Sequence, residues 1–272
     1  MVPCALSIAG SDSSGGAGIQ ADIKTMTALG VYAETVIAAL TAQNTQGVQG
    51  VVPIEPDFVT KQIKSVFSDI TPHAVKIGML ANEEIVRAVA RELRDWNAQH
   101  VVLDPVMVAT TGASLSKTEA VRAIQEELIP LAEVITPNIP EAEALSGIAI
   151  SSKEDMKQAA RTLCRAGARA VLVKGGHLPT CADDVLVVVN DSLSATSDDM
   201  KSYWFEAQRI DTQNTHGTGC TLSSAIASFL ARGYSLIDAV RQAKQYLSGA
   251  LAHDLNLGIG YGPVNHMWMQ EG

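Results

Sequence analysis

The 272-residue chain has no run of ~18 apolar residues, so no stretch of it reads as a membrane-spanning helix. Cations are in short supply: 20 Lys and Arg stand against 29 Asp and Glu, a net charge of −9. A field of that sign repels nucleic acid and anionic membrane, and any polyanionic ligand must be held by local cations, backbone N–H groups or a metal. Cysteine is sparse as well. Cys4, Cys164, Cys181 and Cys220 have no C-x-x-C spacing, which excludes a zinc ribbon and a secreted disulfide scaffold, so reduced thiols are expected. The start MVPCALSIAG lacks the basic flank and cleavage site of a signal peptide, and the expectation is a soluble, cytoplasmic protein.

With 47% hydrophobic and 18% charged residues, disorder is excluded. No linker, repeat or low-complexity segment divides the chain, and α/β folds of ~250 residues commonly close around one core, so residues 1–272 are expected to form a single domain. Short apolar runs alternate with helix-period stretches, the pattern of β-α units around a mainly parallel sheet. The spacing predicts strands at Ala5–Ala9, Glu34–Leu40, Ala74–Ile77, Val101–Leu103, Val134–Thr136, Ala170–Val173 and Val185–Val189. Helices are predicted at Ala17–Leu29, Asp57–Ser68, Glu83–Trp96, Lys117–Leu128, Pro140–Leu145, Lys153–Ala166, Thr218–Ala231 and Leu236–Asp254. Gly30, Gly147, Gly167 and Gly233 stand where helix C-caps are wanted, and Ser235 with Asp238 makes a capping pair. The polar, turn-rich Thr41–Val52 reads as a flap or hairpin at the sheet edge, and Val108–Ser116 as a second loop.

Ligands of open α/β sheets bind outside the carboxyl ends of the strands. The residues there are polar or small: Gly10–Gly18, Gly78-Met79, Asp104-Pro105, Pro137-Asn138 and Lys174-Gly175-Gly176. The Gly10–Gly18 loop matches neither G-x-G-x-x-G nor the phosphate-binding G-x-x-x-x-G-K-[ST], so it carries no dinucleotide fingerprint. Asp22 shares the apolar face of Ile19 and Met26 and needs a partner; a binding role and a favourable helix dipole both remain open. Thr215-His-Gly-Thr-Gly-Cys-Thr221 leads glycine-rich backbone into a helix, an arrangement suited to phosphate. The same dipole lowers a thiol's pKa, so Cys220 is expected to be partly thiolate, against the alternative of a small packed cysteine.

Asn138-Ile-Pro-Glu141 in isolation reads as a capping box. Asp104 is placed to suit Mg²⁺ held through water and phosphate, and Lys174 and Lys244 lie beside buried faces where they serve a polyanion or merely snorkel. These parts together supply what phosphoryl transfer needs: positioning, a metal, cations and aimed dipoles. No G-x-S-x-G elbow or H-E-x-x-H pair supports hydrolase or zinc chemistry.

At these residues the sequence resembles the ribokinase-like superfamily, and within it the hydroxymethylpyrimidine/phosphomethylpyrimidine kinases of thiamin synthesis. The resemblance runs through AGSDSSGGAGIQADIKT (Ala9–Thr25), TAQNTQGV (Thr41–Val48), KIGML (Lys76–Leu80), LDPVMVA (Leu103–Ala109), ITPNIPEAE (Ile135–Glu143), LVKGGH (Leu172–His177) and NTHGTGCTLSSAIA (Asn214–Ala227). It implies a mostly parallel sheet flanked by helices on both faces, a small flap rather than a large lid, and a homodimer. It implies MgATP-dependent phosphorylation of 4-amino-5-hydroxymethyl-2-methylpyrimidine and then of its monophosphate.

By position, Gly10, Asp22, Gln43, Met79 and Val106 resemble the pyrimidine pocket, where the Gln43 amide can pair with ring nitrogen and amino group together. Asn138 and Glu141 resemble the element that orders Mg²⁺ through water, with Asp104 in support, which reverses the isolated capping-box reading. Lys174 resembles the lysine facing the ATP phosphates, with Thr215 and Lys244 on the nucleotide side, and Gly217, Gly219 and Cys220 resemble the anion hole. Many sugar kinases of the superfamily carry an aspartate base where Cys220 stands; thiolate and backbone N–H groups are both open as the source of catalysis here. Two rivals remain: a pyridoxal kinase, which Gln43 disfavours, and a non-catalytic pyrimidine-binding protein on the same scaffold.

Overall fold

The computed structural model describes residues 2–107, 118–176, 182–190 and 199–270. The predicted loop Val108–Ser116, Lys117, His177 and Cys181 lie outside them. In chain order the elements are β1 (Cys4–Asp12), α1 (Gly18–Ala28), β2 (Tyr32–Asn44), β3 (Gly47–Pro53), α2 (Pro56–Phe67), β4 (Ala74–Ile77), α3 (Glu83–Asp95), β5 (Val101–Leu103) and α4 (Thr118–Ala123). They continue with β6 (Val134–Ile135), α5 (Ile139–Ser146), α6 (Lys153–Arg165), β7 (Ala170–Val173), β8 (Asp184–Val189), β9 (Met200–Phe205), α7 (Thr218–Ala231) and α8 (Leu236–Ala252).

One sheet holds all nine strands in the order β3-β2-β1-β4-β5-β6-β7-β8-β9. From β2 to β7 every pairing is parallel; β3 on one edge and β8 and β9 on the other are antiparallel. The period-2 alternation of each strand divides its side chains between two cores. Leu6, Ile8, Val75, Ile77, Val101, Leu103, Val171 and Val173 pack with α2, α3, α5 and α6. Ala74, Val102, Val134, Ala170 and Leu172 face α7 and α8.

On that second face the central strands present polar groups instead. Ser7 of β1 and Lys76 of β4 are both fully buried, and they meet Asp22 from α1 and Ser224 from α7. Lys76 Nζ lies 2.9 and 2.8 Å from the two Asp22 oxygens. A buried pair satisfied on every side in this way holds the two helices in register over the sheet, and removing one partner would cost ~3–5 kcal/mol.

The sequence reading is right about most elements and wrong in two places. The turn-rich Thr41–Val52, expected as a flap or hairpin at the sheet edge, is a hairpin: β2 runs on to Asn44 and pairs with β3, Gln43 opposite Val48. The helix expected over Lys117–Leu128 is broken, since α4 gives way to a π-turn at Ile124–Leu128 and a 3₁₀ turn at Ile129–Leu131 carrying Pro130, which lacks the N–H that a continued helix needs. Strand β9 was not expected at all. Gly30, Gly147, Gly167 and Gly233 take positive φ just past helix ends, and Ser235 accepts from the Asp238 amide at the start of α8.

Near the start of β2, away from the carboxyl ends, Glu34 is 8% exposed and its Oε2 has no hydrogen-bond partner among the described residues. Burial, and then the charge of Asp69, push its carboxyl up to about 7. An acid with a raised folded pKa supports the fold most fully below its unfolded value of 4.5, and that support is lost as pH rises through 7. Glu34→Gln is therefore expected to stabilise the protein at pH 8 by ~1–2 kcal/mol, after discounting for solvent screening, and to change little at pH 4. Thermal melts at the two pH values check this; a gain of equal size at both would refute it.

Candidate active site

The parallel strands β1, β4, β5, β6 and β7 bring their carboxyl ends to one edge of the sheet, where the hairpin reaches His216 through Gln43 and the N-terminus of α7 reaches Asp104 and Lys174 through Gly219; this edge forms the crevice. Its floor is set by the loop after β1. Asp12 Oδ1 accepts from Ser14 N at 2.9 Å and from its hydroxyl at 2.8 Å; Oδ2 accepts from Gly16 N at 3.1 Å and Ala17 N at 2.8 Å. Four donors from one turn fold the loop around a single carboxylate. The same Oδ2 lies 2.7 Å from His216 Nε2. Burial opposes ionisation of Asp12, but the bonds from His216 and Ser14 outweigh it and hold the carboxyl at about 2.

Asp12 and His216 went unrecognised in the sequence. The available signal was an acid inside a Gly/Ser turn, where an Asx turn is the ordinary use. Nothing local marks a partner 204 positions away.

His216 leads into the anion-type turn. Gly217 is the N-cap of α7 at φ +85°, and a Cβ there would overlap the Gly16 carbonyl oxygen, so the two glycine turns nest against each other backbone to backbone. The Gly219 and Cys220 N–H groups, in the first turn of α7, have no intrahelical acceptor and stand at the positive end of its dipole. A Cβ at Gly219 would lie 3.3 Å from Asp104 Oδ2 and 3.5 Å from Lys174 Nζ, which brings the predicted anion turn and the predicted cation together. Thr215 contributes backbone: its carbonyl accepts from Thr218 N at 3.3 Å.

Cys220 corrects the expectation of a thiolate. Burial pushes its thiol up to about 11, Asp22 and Asp104 add to the rise, and Lys76 and the Gly18 N–H bond oppose it. The helix dipole acts over one turn, whereas desolvation acts on the whole charge and wins here. Cys220→Ala is accordingly expected to keep kcat within about tenfold of the parent, since a general base would account for ~10²–10⁴. Steady-state kinetics decide it, and a loss in that larger range would restore the base.

Asp104 and Lys174 form the charged centre. Asp104 Oδ1 is 2.8 Å from Lys174 Nζ and 3.1 Å from Thr136 Oγ1, and Oδ2 is 3.4 Å from Ser223 Oγ. Burial works against its charge, but Lys174 and Lys76 hold the carboxyl below the usual carboxylate range. Asn138 and Glu141 make the capping box: Glu141 N donates to Asn138 Oδ1 at 2.9 Å, and Asn138 N to Glu141 Oε2 at 2.8 Å. The geometric reading of these two residues as caps of α5 is thus what the backbone displays. Glu141 nonetheless faces the charged centre: burial pushes it up to about 7, Asp104 adds to the rise and Lys174 opposes it. Two buried carboxylates that repel each other, beside an amide oxygen, are a donor set that fits a hard divalent cation held partly by water and phosphate. Among the described residues no three His, Cys, Asp or Glu side chains group as a full protein cage.

On the acceptor side, the end of the Met79 side chain packs against β1 where a Cβ on Gly10 would stand. Val106 N donates to Asp104 O at 2.8 Å, fixing the chain just past β5. Gln43 sits on the hairpin, its backbone N–H and carbonyl both bonded to Ser13 Oγ and its amide nitrogen 3.5 Å from His216 Nε2.

Two predicted site residues are elsewhere. Asp22 is fully buried and committed to Lys76, Ser7 and Ser224, so it lies beneath the crevice and not in it. Lys244 Nζ is 2.6 Å from Asp184 Oδ2 and 2.8 Å from Ala182 O, and it neutralises a buried acid at the start of β8. Both lie on the faces the sequence indicated, but with structural partners.

The sequence profile of the family described as phosphomethylpyrimidine kinase matches residues 12–265. The chain belongs to the phosphomethylpyrimidine kinase family. It is 51% identical to the hydroxymethylpyrimidine/phosphomethylpyrimidine kinase of Rhizobium meliloti, with all of both chains covered. It is 50% identical to the thiamine biosynthesis bifunctional protein ThiED of Geobacter sulfurreducens over 98% of this chain and 52% of that protein, so it spans about half the length of that relative. Among solved structures, the ADP complex of Bacillus subtilis pyridoxal kinase superposes with a TM-score of 0.87 at 35% identity, covering both chains fully. The sheet and its helical layers are therefore the ribokinase-like fold, shared by phosphomethylpyrimidine kinases and pyridoxal kinases alike.

Proposed function

We propose that the protein uses MgATP to phosphorylate the hydroxymethyl group of 4-amino-5-hydroxymethyl-2-methylpyrimidine, and then the resulting monophosphate, making the pyrimidine diphosphate for thiamin assembly. The observation that carries this reading is the joining of two half-sites: the Gln43 amide, suited to an aminopyrimidine edge, touches His216, the residue before the turn that faces Asp104 and Lys174. Acceptor and phosphate donor then share one crevice. The named activity of the full-length Rhizobium meliloti relative supports the same assignment, and the nucleotide in the pyridoxal kinase neighbour supports ATP.

In this reading Gly10, Met79 and Val106 wall the flat ring and Gln43 selects its edge. Lys174 holds the transferring phosphoryl group, and the Gly219 and Cys220 N–H groups receive the charge that develops on it. Cys220 is a thiol at neutral pH, so positioning and backbone dipoles carry the turn's contribution. Asp104, Asn138 and Glu141 would hold Mg²⁺ through water, and the ion would supply charge neutralisation between the phosphates.

We further read the chain as one domain acting in the cytoplasm as a homodimer. The edge strand β3 presents Val51 and Val52 at 40% and 63% exposure, and an unpaired sheet edge of that kind is a ready surface for a second copy.

A second reading, pyridoxal kinase, is favoured by the 35% identity to the Bacillus subtilis enzyme. ADP release measured with the hydroxymethylpyrimidine, its monophosphate, pyridoxal and ribose separates the two. The highest kcat/KM is expected with the pyrimidines; preference for pyridoxal would reassign the substrate, and pyrimidine binding without turnover would make the protein a sensor.

A further inference from the structure

After α8 the chain returns to the crevice as a strap, residues 257–264, in which glycine stands at every second position: Leu257-Gly-Ile-Gly-Tyr-Gly-Pro-Val264. The alternation sorts two faces. Leu257, Ile259 and Tyr261 are exposed, while the glycines lie against distant parts of the chain. A Cβ on Gly258 would press on the Thr45 side chain, one on Gly260 would overlap the Thr45 carbonyl oxygen, and one on Gly262 would overlap Asn214 Oδ1.

Hydrogen bonds follow the same path. The Tyr261 N–H donates to Thr45 O at 2.9 Å and the Gly260 N–H to Thr45 Oγ1 at 3.3 Å. One residue further on, Gly262 O accepts from the His216 N–H at 3.0 Å, and the Val264 N–H donates to His216 O at 3.4 Å. Thr45 is at the tip of the β2–β3 hairpin, just past Gln43, and His216 immediately precedes the Gly217 cap of α7. Among the described residues, the two bonds of Thr45 to the strap are the ones that tie tip residues 44–47 to anything outside the hairpin. The far end of the strap is fixed: Val264 and Asn265 are buried, and Asn265 N donates to Ala250 O at 3.1 Å.

We propose that this glycine strap sets the separation between the acceptor side and the phosphate turn, with Gly260 as a positioning residue. Its bare α-carbon lets the hairpin tip settle directly on the strap, beside the point where the strap pairs with His216. The inference rests on the assignment of Gln43 to the acceptor ring. It makes placement of the alcohol against ATP depend on backbone packing at a point where any side chain would intrude.

Gly260 does not take a positive φ, so an alanine there acts through the tip backbone it displaces and not through strain of its own. Gly260→Ala is expected to raise the pyrimidine KM roughly tenfold and to lower kcat by a similar factor, since ~1 Å of misplacement can cost up to ~10²-fold, with the ATP KM nearly unchanged. Hydrogen exchange at the amides of residues 43–48 is expected to quicken in the same variant. Ile259→Ala, whose side chain is 88% exposed on the opposite face, is expected to leave kcat and both KM values within about twofold. In a Gln43→Met background Gly260→Ala should add little to the pyrimidine KM, because the amide it misplaces is gone.

A folded Gly260→Ala with parental kinetics or unchanged exchange at the tip would overturn the proposal. So would equal rises in both KM values, a loss of the same size in Ile259→Ala, or a full additive KM rise in the Gln43→Met background; each leaves the role of Gln43 itself intact. If Gln43→Met alone leaves the pyrimidine KM unchanged, the pyrimidine reading fails and the proposal fails with it. Should Gly260→Ala not fold, as judged by circular dichroism, Thr45→Gly is read by the same criteria, since it removes the hydroxyl that the Gly260 N–H reaches and frees the tip without adding a clash.

Discussion

Gly217→Ala is expected to reduce kcat by at least ~10²–10³, the loss that follows when an oxyanion-type donor is displaced. Gly217 adopts φ +85°, and its α-carbon faces the Gly16 carbonyl with no space for a methyl group. An alanine would carry the left-handed penalty of ~1–2 kcal/mol and would also push the two turns apart. The displacement falls on the Gly219 and Cys220 amides, which lie two and three residues along the same first turn. The fold should survive, because α7 is anchored through the rest of its length by Leu222, Ile226, Phe229 and Leu230. Circular dichroism and a melt establish that, and retention of more than a tenth of parental kcat would contradict the placement of this turn at the reacting phosphate.

The second large effect is expected at Lys174. Lys174→Met removes the cation aimed at the phosphates, and kcat should fall ~10²–10³ with a rise in the KM for ATP. Stability should fall too, since Asp104, 1% exposed, loses the partner 2.8 Å away; an uncompensated buried charge costs ~3–5 kcal/mol, less here because Thr136 and Ser223 remain. Combining Lys174→Met with Asp104→Asn removes the buried charge as well, so the melting temperature should recover in the double variant. Parental kcat retained in Lys174→Met itself would mean that Lys174 serves the fold alone.

Much of this architecture is legible because strand and helix periods are local properties. The apolar runs at residues 74–77, 101–103 and 170–173 coincide with β4, β5 and β7 residue for residue. Strand β9, Met-Lys-Ser-Tyr-Trp-Phe, is not legible in the sequence because on an edge its alternation is weak and only Phe205 is buried.

Site residues divide along the same line. That Asp22 and Lys244 sit on apolar faces can be read from helical spacing, but the partners that satisfy them, Lys76 and Asp184, lie 54 and 60 positions away, and only packing brings them close. For Cys220 the dipole is visible in the sequence and the desolvation is not, so the sign of the shift came out reversed. The capping box of Asn138 and Glu141 is a local signal, and the structure displays it intact.

The nesting of residues 10–18 against 214–220 also bears on how the protein comes into being. One wall of the crevice is made from the first strand's exit and the other from a turn more than 190 residues later, so a nascent chain can finish most of its sheet and still possess no catalytic cleft. Only when α7 leaves the ribosome and docks over β1 does the seam close. Every product of synthesis or proteolysis that ends before α7 is therefore expected to lack turnover, however much sheet it retains.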